Sequence, residues 1–170
     1  MPDGIHVLVV ASEPSGWSSV SEVSFESGAV RTVAAQLDLS PAAGSDPRRL
    51  SPVSPDGRLV AAAMASGQIV VLPLDGGAAR PLPGSGPNDL PIEWTADGSQ
   101  LFLSDPSELP TRVHKVDLAT GRRELWREIL PLDRVGVAGV EKIVLTPDAT
   151  AYAYSYVQFR SDLYLVKGLQ

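Results

Sequence analysis

The chain has 170 residues, a hydrophobic content of 44%, a formal net charge of −6 and no cysteine. The negative charge does not favour nucleic acid as a partner, and the absence of cysteine excludes disulfides and Cys-ligated metals. No apolar run reaches membrane-spanning length, and the N-terminus lacks the pattern of a signal peptide. The absence of cysteine fits either side of a membrane, so the compartment stays open.

A four-residue turn recurs along the chain, at residues 1–4, 54–57, 95–98 and 146–149. Pro presets φ for a turn, Asp hydrogen-bonds to its own backbone and Gly accepts a positive φ. The fourth copy departs from the pattern because Ala149 replaces the glycine. We interpret the shared aspartates as structural turn residues rather than metal ligands. They are Asp3, Asp56, Asp97 and Asp148, and they are 53, 41 and 51 residues apart.

Strand-like apolar runs flank these turns, and further Gly-containing turns at 26–28, 75–77 and 119–121 separate additional runs. The repeating unit is therefore four antiparallel strands in roughly 40–50 residues, which is typical of one β-propeller blade. In chain order the clearest runs are 20–25, 29–34, 59–63, 68–74, 79–82, 92–94, 101–103, 113–118, 122–126, 140–146, 151–157 and 162–166. These are twelve runs, and one further run beside each of the first two turns brings the count to 14 candidate strands.

The pattern predicts an all-β fold, a single β-propeller segment of about four blades at residues 1–36, 50–83, 90–129 and 140–170. A β-sandwich is the alternative, but it gives no reason for the same turn to return in the same place. The first and last blades lack strands, so we expect the C-terminal part of a larger propeller. Closure as a small ring or by a second chain stays open, with self-association through open strand edges.

The repeat Ser54-Pro55-Asp56-Gly57-Arg58 resembles the signature of TolB-like, WD40-like propellers. Several further stretches are similar to the C-terminal propeller of bacterial eukaryotic-like serine/threonine kinases, namely 52–82, 113–126, 151–156, 161–166 and 168–169. The resemblance implies a sensing, scaffolding or partner-binding module, whose kinase domain would lie upstream.

No catalytic motif is found in the sequence. The glycine-rich phosphate loop, the His-Arg-Asp catalytic loop and the Asp-Phe-Gly motif of kinases are all missing. Only His6 and His114 could supply an imidazole base, and neither lies beside a nucleophile elbow. We therefore expect a non-enzymatic chain without cofactor or metal, which binds a protein or peptide. The alternative is a regulatory segment of a kinase or, less favoured, a peptidase, and the gene upstream of Met1 distinguishes the two.

The longer loops indicate where binding occurs, because loops on a rigid scaffold usually carry recognition. In an up-and-down blade, second-to-third strand loops and blade-to-blade loops emerge at the same edge. The candidates fall at 13–18, 105–111 and 158–161 in one class, and at 37–49, 83–89 and 130–139 in the other. The partner-binding residues we select from these loops are Glu13, Trp17, Glu108, Arg134, Phe159 and Arg160.

Overall fold

The computed structural model describes residues 1, 3–39, 51–146, 148–161 and 164, and the described part is built from strands without a helix. The alternation of apolar and polar residues with β-branched side chains favours half-buried strands. In chain order these are β1 (His6–Ser12), β2 (Ser18–Ser24), β3 (Val30–Leu37), β4 (Leu59–Ala63), β5 (Ile69–Pro73), β6 (Arg80–Pro81), β7 (Leu90–Trp94), β8 (Gln100–Asp105), β9 (Thr111–Asp117), β10 (Arg123–Ile129), β11 (Val137–Leu145) and β12 (Tyr152–Gln158).

These strands form four antiparallel sheets that follow one another along the chain. The first sheet contains β1–β3, the second β4–β6, the third β7–β10 and the fourth β11–β12. Within each sheet, strands that are neighbours in sequence are also neighbours in space, which is the meander of a propeller blade. The prediction of an all-β propeller segment is confirmed.

The second sheet differs from the prediction because residues 51–53 form no strand before the turn at 54–57. Ser51 still bonds to β4 with both its backbone and its side chain. Its amide donates to the Ala61 carbonyl at 2.9 Å, and its Oγ accepts from the Ala61 amide at 2.9 Å. Pro52 lacks an amide proton, so the segment satisfies the edge of β4 by side-chain bonding instead of a ladder. Of the predicted strand at 162–166, all residues except 164 lie outside the described residues.

The recurring turn has the same hydrogen bonds in its last three copies. In the third copy the Thr95 hydroxyl donates to Asp97 at 2.6 Å and accepts from the Gln100 amide at 3.0 Å. The Asp97 carboxylate also accepts from the Ser99 amide at 3.1 Å, and the Gly98 amide donates to the Thr95 carbonyl at 2.8 Å. Equivalent bonds surround Asp56 and Asp148 in the second and fourth copies.

The first copy of the turn lacks the hydroxyl, because Met1 stands where the other copies have Ser or Thr. There the Asp3 carboxylate accepts directly from the amides of Ile5 at 3.0 Å and His6 at 3.1 Å. The His6 ring nitrogen Nδ1 lies 2.8 Å from the other carboxylate oxygen. The Asp carboxylate thus caps the turn in all four copies, and a Ser or Thr hydroxyl assists it in the last three, which explains why the same short motif returns at successive hairpins.

Three apolar clusters fill the spaces between consecutive sheets. The first joins Val20 to Val60, the second joins Ala61 to Trp94, and the third joins Phe102 to Val140 and Leu145. Neighbouring residues of one strand point to opposite faces, so Val60 and Ala61 belong to different clusters. Each of the two middle sheets is thereby buried on both faces.

The first and fourth sheets contribute to only one cluster each among the described residues. On the opposite face of the first sheet, Val9 is 44% exposed and Val30 is 66% exposed. On the opposite face of the fourth sheet, Val144 is 48% exposed. The four sheets thus form an arc whose two end faces carry exposed valines.

Candidate functional site

The two classes of longer loop lie together, as the up-and-down strand order predicts. The Asn88 side chain donates to Ser107 at 3.3 Å, which joins the loop 83–89 to the loop between β8 and β9. On its other side the same loop packs against the β4–β5 turn, where a Cβ on Gly67 would lie 2.3 Å from the Pro87 carbonyl oxygen. These contacts define a loop edge of the arc that spans more than one sheet.

The tight turns are less completely separated from the long loops than the sequence predicts. The turn between β9 and β10 lies against the loop 83–89, because a Cβ on Gly84 would meet the Gly121 carbonyl oxygen at 2.1 Å. Successive strands in a sheet rotate relative to one another, so the outermost strand of the third sheet leans towards the second sheet. The expectation of two separate loop faces is therefore wrong at this position.

An ion pair fixes the loop 83–89 to the third sheet. The Arg123 guanidinium binds both carboxylate oxygens of Asp89, at 2.5 and 3.0 Å, and also donates to the Gly84 carbonyl at 3.2 Å. The Asp89 side chain is only 1% exposed, and its Oδ2 additionally accepts from the Gly86 amide at 2.5 Å. This loop is consequently an ordered support rather than a free recognition segment.

His114 belongs to the same network and has a structural environment. Its Nδ1 lies 2.9 Å from Arg123 Nη2, so the ring accepts a hydrogen bond from the guanidinium. Partial burial, followed by the Arg123 charge, lowers the pKa of His114. The imidazole is therefore kept neutral, and no nucleophile lies in hydrogen-bond contact with it in the described part of the chain.

A groove of about 530 Å³ runs between residues 66–68 and 81–87. Its walls come mainly from Gly, Pro and Ser residues, and none of the lining side chains is titratable. The groove offers backbone polar groups but no acid, base or metal ligand. It is therefore a poor candidate for chemistry.

The most distinctive surface is formed by two loops of the fourth sheet, at 130–136 and 158–161, which we call the fourth-sheet loop pair. Gln158 joins them: its side-chain amide donates to Asp133 at 3.0 Å and to the Val135 carbonyl at 2.8 Å. The Phe159 amide donates to the Gly136 carbonyl at 2.8 Å. Gly136 has φ 72°, and a Cβ there would lie 2.0 Å from the Phe159 carbonyl oxygen. Only glycine fits this close approach.

Three large apolar side chains project from the fourth-sheet loop pair. Leu132 is fully exposed, Val135 is 79% exposed and Phe159 is 71% exposed. Isolated exposed apolar residues are common, but three in two hydrogen-bonded loops form a patch. Such patches on well-ordered loops are typical of protein interaction sites.

Charged groups border this patch. Arg160 Nη2 lies 3.7 Å from Asp133, and Arg134 is exposed in the neighbouring loop. The pKa of Asp133 is lowered first by the Gln158 hydrogen bond, then by the Val135 amide and the Arg160 charge. The carboxylate therefore stays ionised and anchors the loops, while the arginines give the border a positive contribution.

The six candidate residues from the sequence do not form a single site. Arg134, Phe159 and Arg160 lie in the fourth-sheet loop pair. Glu13 and Trp17 lie in the β1–β2 loop of the first sheet, where the Glu13 amide donates to the Trp17 carbonyl at 2.7 Å and closes a tight turn. Trp17 is 46% exposed.

Glu108 lies in the β8–β9 loop of the third sheet, with its carboxylate 3.7 Å from Arg112 Nη1. The loops themselves are shorter than the sequence suggests: they cover 13–17, 106–110 and 130–136, because the flanking strands extend further. Of the predicted loop 37–49, residues 40–49 lie outside the described residues.

Sequence reasoning missed Leu132 and Val135, the apolar half of the patch. The available signal was a pair of large apolar residues inside a stretch bounded by Pro131 and Gly136, where no strand can bury them. It also missed the Asp89–Arg123 pair, which joins residues 34 positions apart and has no local signature.

Other kinds of site have little support in the described part of the chain. Within it, no group of three or more His, Cys, Asp or Glu side chains is arranged to hold a metal ion. Across the same residues, no helix is long and apolar enough to cross a membrane.

No family model and no curated protein matches this chain. Solved structures do: TolB from Acinetobacter baumannii matches with a TM-score of 0.65 and 16% identity, over 95% of this chain and 37% of that one. A TolB-type protein from Agrobacterium tumefaciens matches with a TM-score of 0.63 and 16% identity, over 93% and 57% of the two chains. A chain of the nidogen–laminin complex matches with a TM-score of 0.62 and 16% identity, over 89% of this chain and 53% of that one.

At these identities the likeness concerns the fold, and the chain spans 37% to 57% of the length of these structures. The order of the sheets, the recurring Asp turn and these matches agree with one another. The chain has the fold of a four-sheet segment of a β-propeller, and the propellers it resembles in structure include TolB.

Proposed function

We propose that this chain is a non-catalytic propeller module that binds a protein or peptide through the fourth-sheet loop pair. The observation that carries the proposal is the exposed patch of Leu132, Val135 and Phe159 on loops that hydrogen bonds hold in place. Ordered loops reduce the entropy lost on binding, and aromatic, apolar and Arg side chains dominate interfaces. One of the similar structures is itself a complex between two proteins, nidogen and laminin.

A display selection tests this proposal. Random peptides displayed on phage are selected on the folded protein, and the bound peptides are then measured against the Phe159→Ser variant. Because an apolar anchor removed from an interface costs more than about 1.4 kcal/mol, we expect at least a tenfold loss of affinity. The fold should survive, since the Phe159 side chain is largely outside the core.

The matched control is Phe25→Ser. Phe25 has the same 71% exposure, but it lies at the β2–β3 turn, on the edge of the first sheet away from its β1–β2 loop. We expect the selected peptides to bind this variant as they bind the original protein. Peptides that lose affinity equally for both variants, or a selection that enriches none, would overturn the proposal.

The exposed valines at both ends of the arc support a second part of the proposal, that the segment belongs to a larger ring. Val9, Val30 and Val144 lie on faces equivalent to those that the inner sheets bury. The isolated chain should therefore self-associate, with a molar mass by light scattering that rises with concentration. Substitution of Val144 by Lys should shift the mass towards the monomer, whereas a constant monomer mass contradicts this part. A regulatory role beside a kinase rests on the sequence resemblance alone and stays a prediction.

A further inference from the structure

A β-bulge in the outer strand of the third sheet re-aims two adjacent side chains. Between β9 and β10, Leu125 pairs with His114, and Arg127 pairs with Val113, the neighbour of His114. Trp126 therefore has no backbone pairing partner on β9. Bulges redirect side chains and recur where a strand contributes to a site. Here the result is that the Arg127 guanidinium lies over the Trp126 ring, 5.2 Å from its centre.

Arg127 is held in place by a second ring across the gap to the fourth sheet. Its guanidinium carbon lies 4.9 Å from the centre of the Tyr152 ring, and Nη1 donates to the Tyr152 hydroxyl at 3.3 Å. Within the described residues this is the only hydrogen bond of the guanidinium. Five other arginines pair with carboxylates: Arg31, Arg112, Arg122, Arg123 and Arg160. In the described part of the chain Arg127 has no such partner.

The cation is therefore oriented in advance but unpaired. The guanidinium lies near both the Trp126 and the Tyr152 ring, whose planes are 80° apart, and Tyr152 accepts a hydrogen bond from one of its five N–H donors. A planar guanidinium with free donors suits a carboxylate, which it can bind through two parallel hydrogen bonds. Because the side chain is already ordered, little conformational entropy is lost when the carboxylate arrives.

A row of aromatic rings continues from this point along β12. The Trp126 and Tyr152 ring centres are 5.8 Å apart, those of Tyr152 and Tyr154 6.3 Å, and those of Tyr154 and Tyr156 6.2 Å. Tyr152 is 36% exposed and Tyr156 is 42% exposed, while Tyr154 packs partly against the third cluster. An extended peptide rises by about 3.3 Å per residue, so its alternate side chains are about 6.6 Å apart. The ring spacing therefore matches that of every second residue.

We infer that this surface binds an extended acidic peptide, with an Asp or Glu carboxylate on Arg127 and apolar side chains, four residues apart, over Tyr152 and Tyr156. The site lies on the sheet surface between the third and fourth sheets and uses none of the residues of the fourth-sheet loop pair. Its charge selects an acidic side chain, and its ring row selects apolar residues at positions two and six after it.

The test uses fluorescein-labelled heptapeptides with blocked termini, in which one Glu precedes Leu at alternate positions and Ser fills the rest. Binding is measured by fluorescence polarisation. We expect these peptides to bind the original protein, and replacement of Glu by Gln to weaken binding at least tenfold. Because the termini are blocked, the only carboxylate of the peptide is that of the Glu side chain. A second peptide, with Gln in place of Glu and a free C-terminus, tests whether a C-terminal carboxylate binds instead.

Variants of the protein assign the effect to this site. Arg127→Gln should lower the affinity for the Glu peptide at least tenfold and leave the affinity for the Gln peptide unchanged. If Arg127 had a purely structural role, the substitution would lower both affinities. Arg80→Gln, at an exposed arginine of β6 in the second sheet, should bind like the original protein. Equal binding of Glu and Gln peptides, unchanged binding by Arg127→Gln, stronger binding of the free C-terminus, or no binding of any peptide at millimolar concentration would each overturn the inference.

Discussion

The middle of the arc and its fourth sheet use the same building plan with different results. The second and third sheets bury both faces and share the Asp89–Arg123 pair, whereas the fourth sheet buries one face and exposes tyrosines and a loop patch. Equivalent positions can therefore be compared directly. We infer that the middle provides rigidity and that the fourth sheet, which packs on one face among the described residues, is available for recognition.

Trp94 and Leu145 occupy equivalent positions, immediately before the third and fourth copies of the turn. Trp94 is 1% exposed and its ring nitrogen donates to Ser51 Oγ at 3.1 Å and to the Pro52 carbonyl at 2.8 Å. Its replacement by Ala should lower the free energy of unfolding by about 3–5 kcal/mol. Leu145→Ala, at 9% exposure on the end sheet, should cost about 2 kcal/mol. Urea denaturation of both variants makes the comparison.

A Trp94→Phe variant refines this result, since it keeps most of the apolar volume and removes only the ring N–H. The loss should then be about 1–2 kcal/mol, because the Pro52 carbonyl loses a donor. Equal losses for Trp94→Ala and Leu145→Ala would mean that the end sheet is as tightly packed as the middle, and that the contrast between them is wrong.

The next contrast is between two ion pairs. Asp89 and Arg123 side chains are 1% and 27% exposed, while Asp133 and Arg160 are 54% and 80% exposed. Asp89→Ala leaves a partly buried guanidinium without its carboxylate, so we expect a loss of about 2–3 kcal/mol. Asp133→Ala should produce a much smaller change, because water screens exposed charges. Thermal unfolding measures both; similar shifts for the two variants would contradict the assigned difference in burial.

The fold was predictable from sequence because its signal is local and repeated. An Asp with a Ser or Thr two residues earlier, such as Asp97 with Thr95, specifies a hairpin turn by itself. The recurrence of this turn along the chain indicates the blades. Ser51 was not predictable as a substitute for a strand, because its role depends on a bond to Ala61 ten residues away. The candidate site was half predictable: Phe159 and Arg160 fall in an evident loop, but which loops meet depends on packing between sheets. The Trp126 bulge likewise arises from pairing of two strands and leaves no local mark.

Two copies of the turn differ in the residue that has positive φ. Gly98 has φ 70° and Ala149 has φ 54°. A Cβ on Gly98 meets only the Pro55 ring at 3.7 Å, so Gly98→Ala tests backbone conformation without a clash. We expect Gly98→Ala to lower the free energy of unfolding by about 1 kcal/mol and Ala149→Gly to raise it by about 0.5 kcal/mol. The gain is the smaller of the two because glycine raises the entropy of the unfolded chain, which offsets part of the backbone strain that it removes. Opposite signs in chemical denaturation are the expected outcome, and a stabilising Gly98→Ala contradicts the argument.

The smallest expected effect concerns acid stability. Local hydrogen bonds from Thr95 and the Ser99 amide lower the pKa of Asp97 to about 2, below its unfolded value of about 3.9. A depressed carboxyl pKa stabilises the folded state above the unfolded value, and this contribution is lost as the pH falls from about 4 to about 2. Asp97→Asn should therefore be less stable near pH 6, and its unfolding midpoint should fall less steeply between pH 4 and 2. The group is exposed, so the change is modest. Asp148, whose pKa is also lowered by the same kinds of bond, should respond in the same direction when replaced by Asn. If the stability of the Asp97 variant and that of the original protein decline in parallel below pH 4, the recurring carboxylate holds its turn by shape alone and its charge makes no contribution.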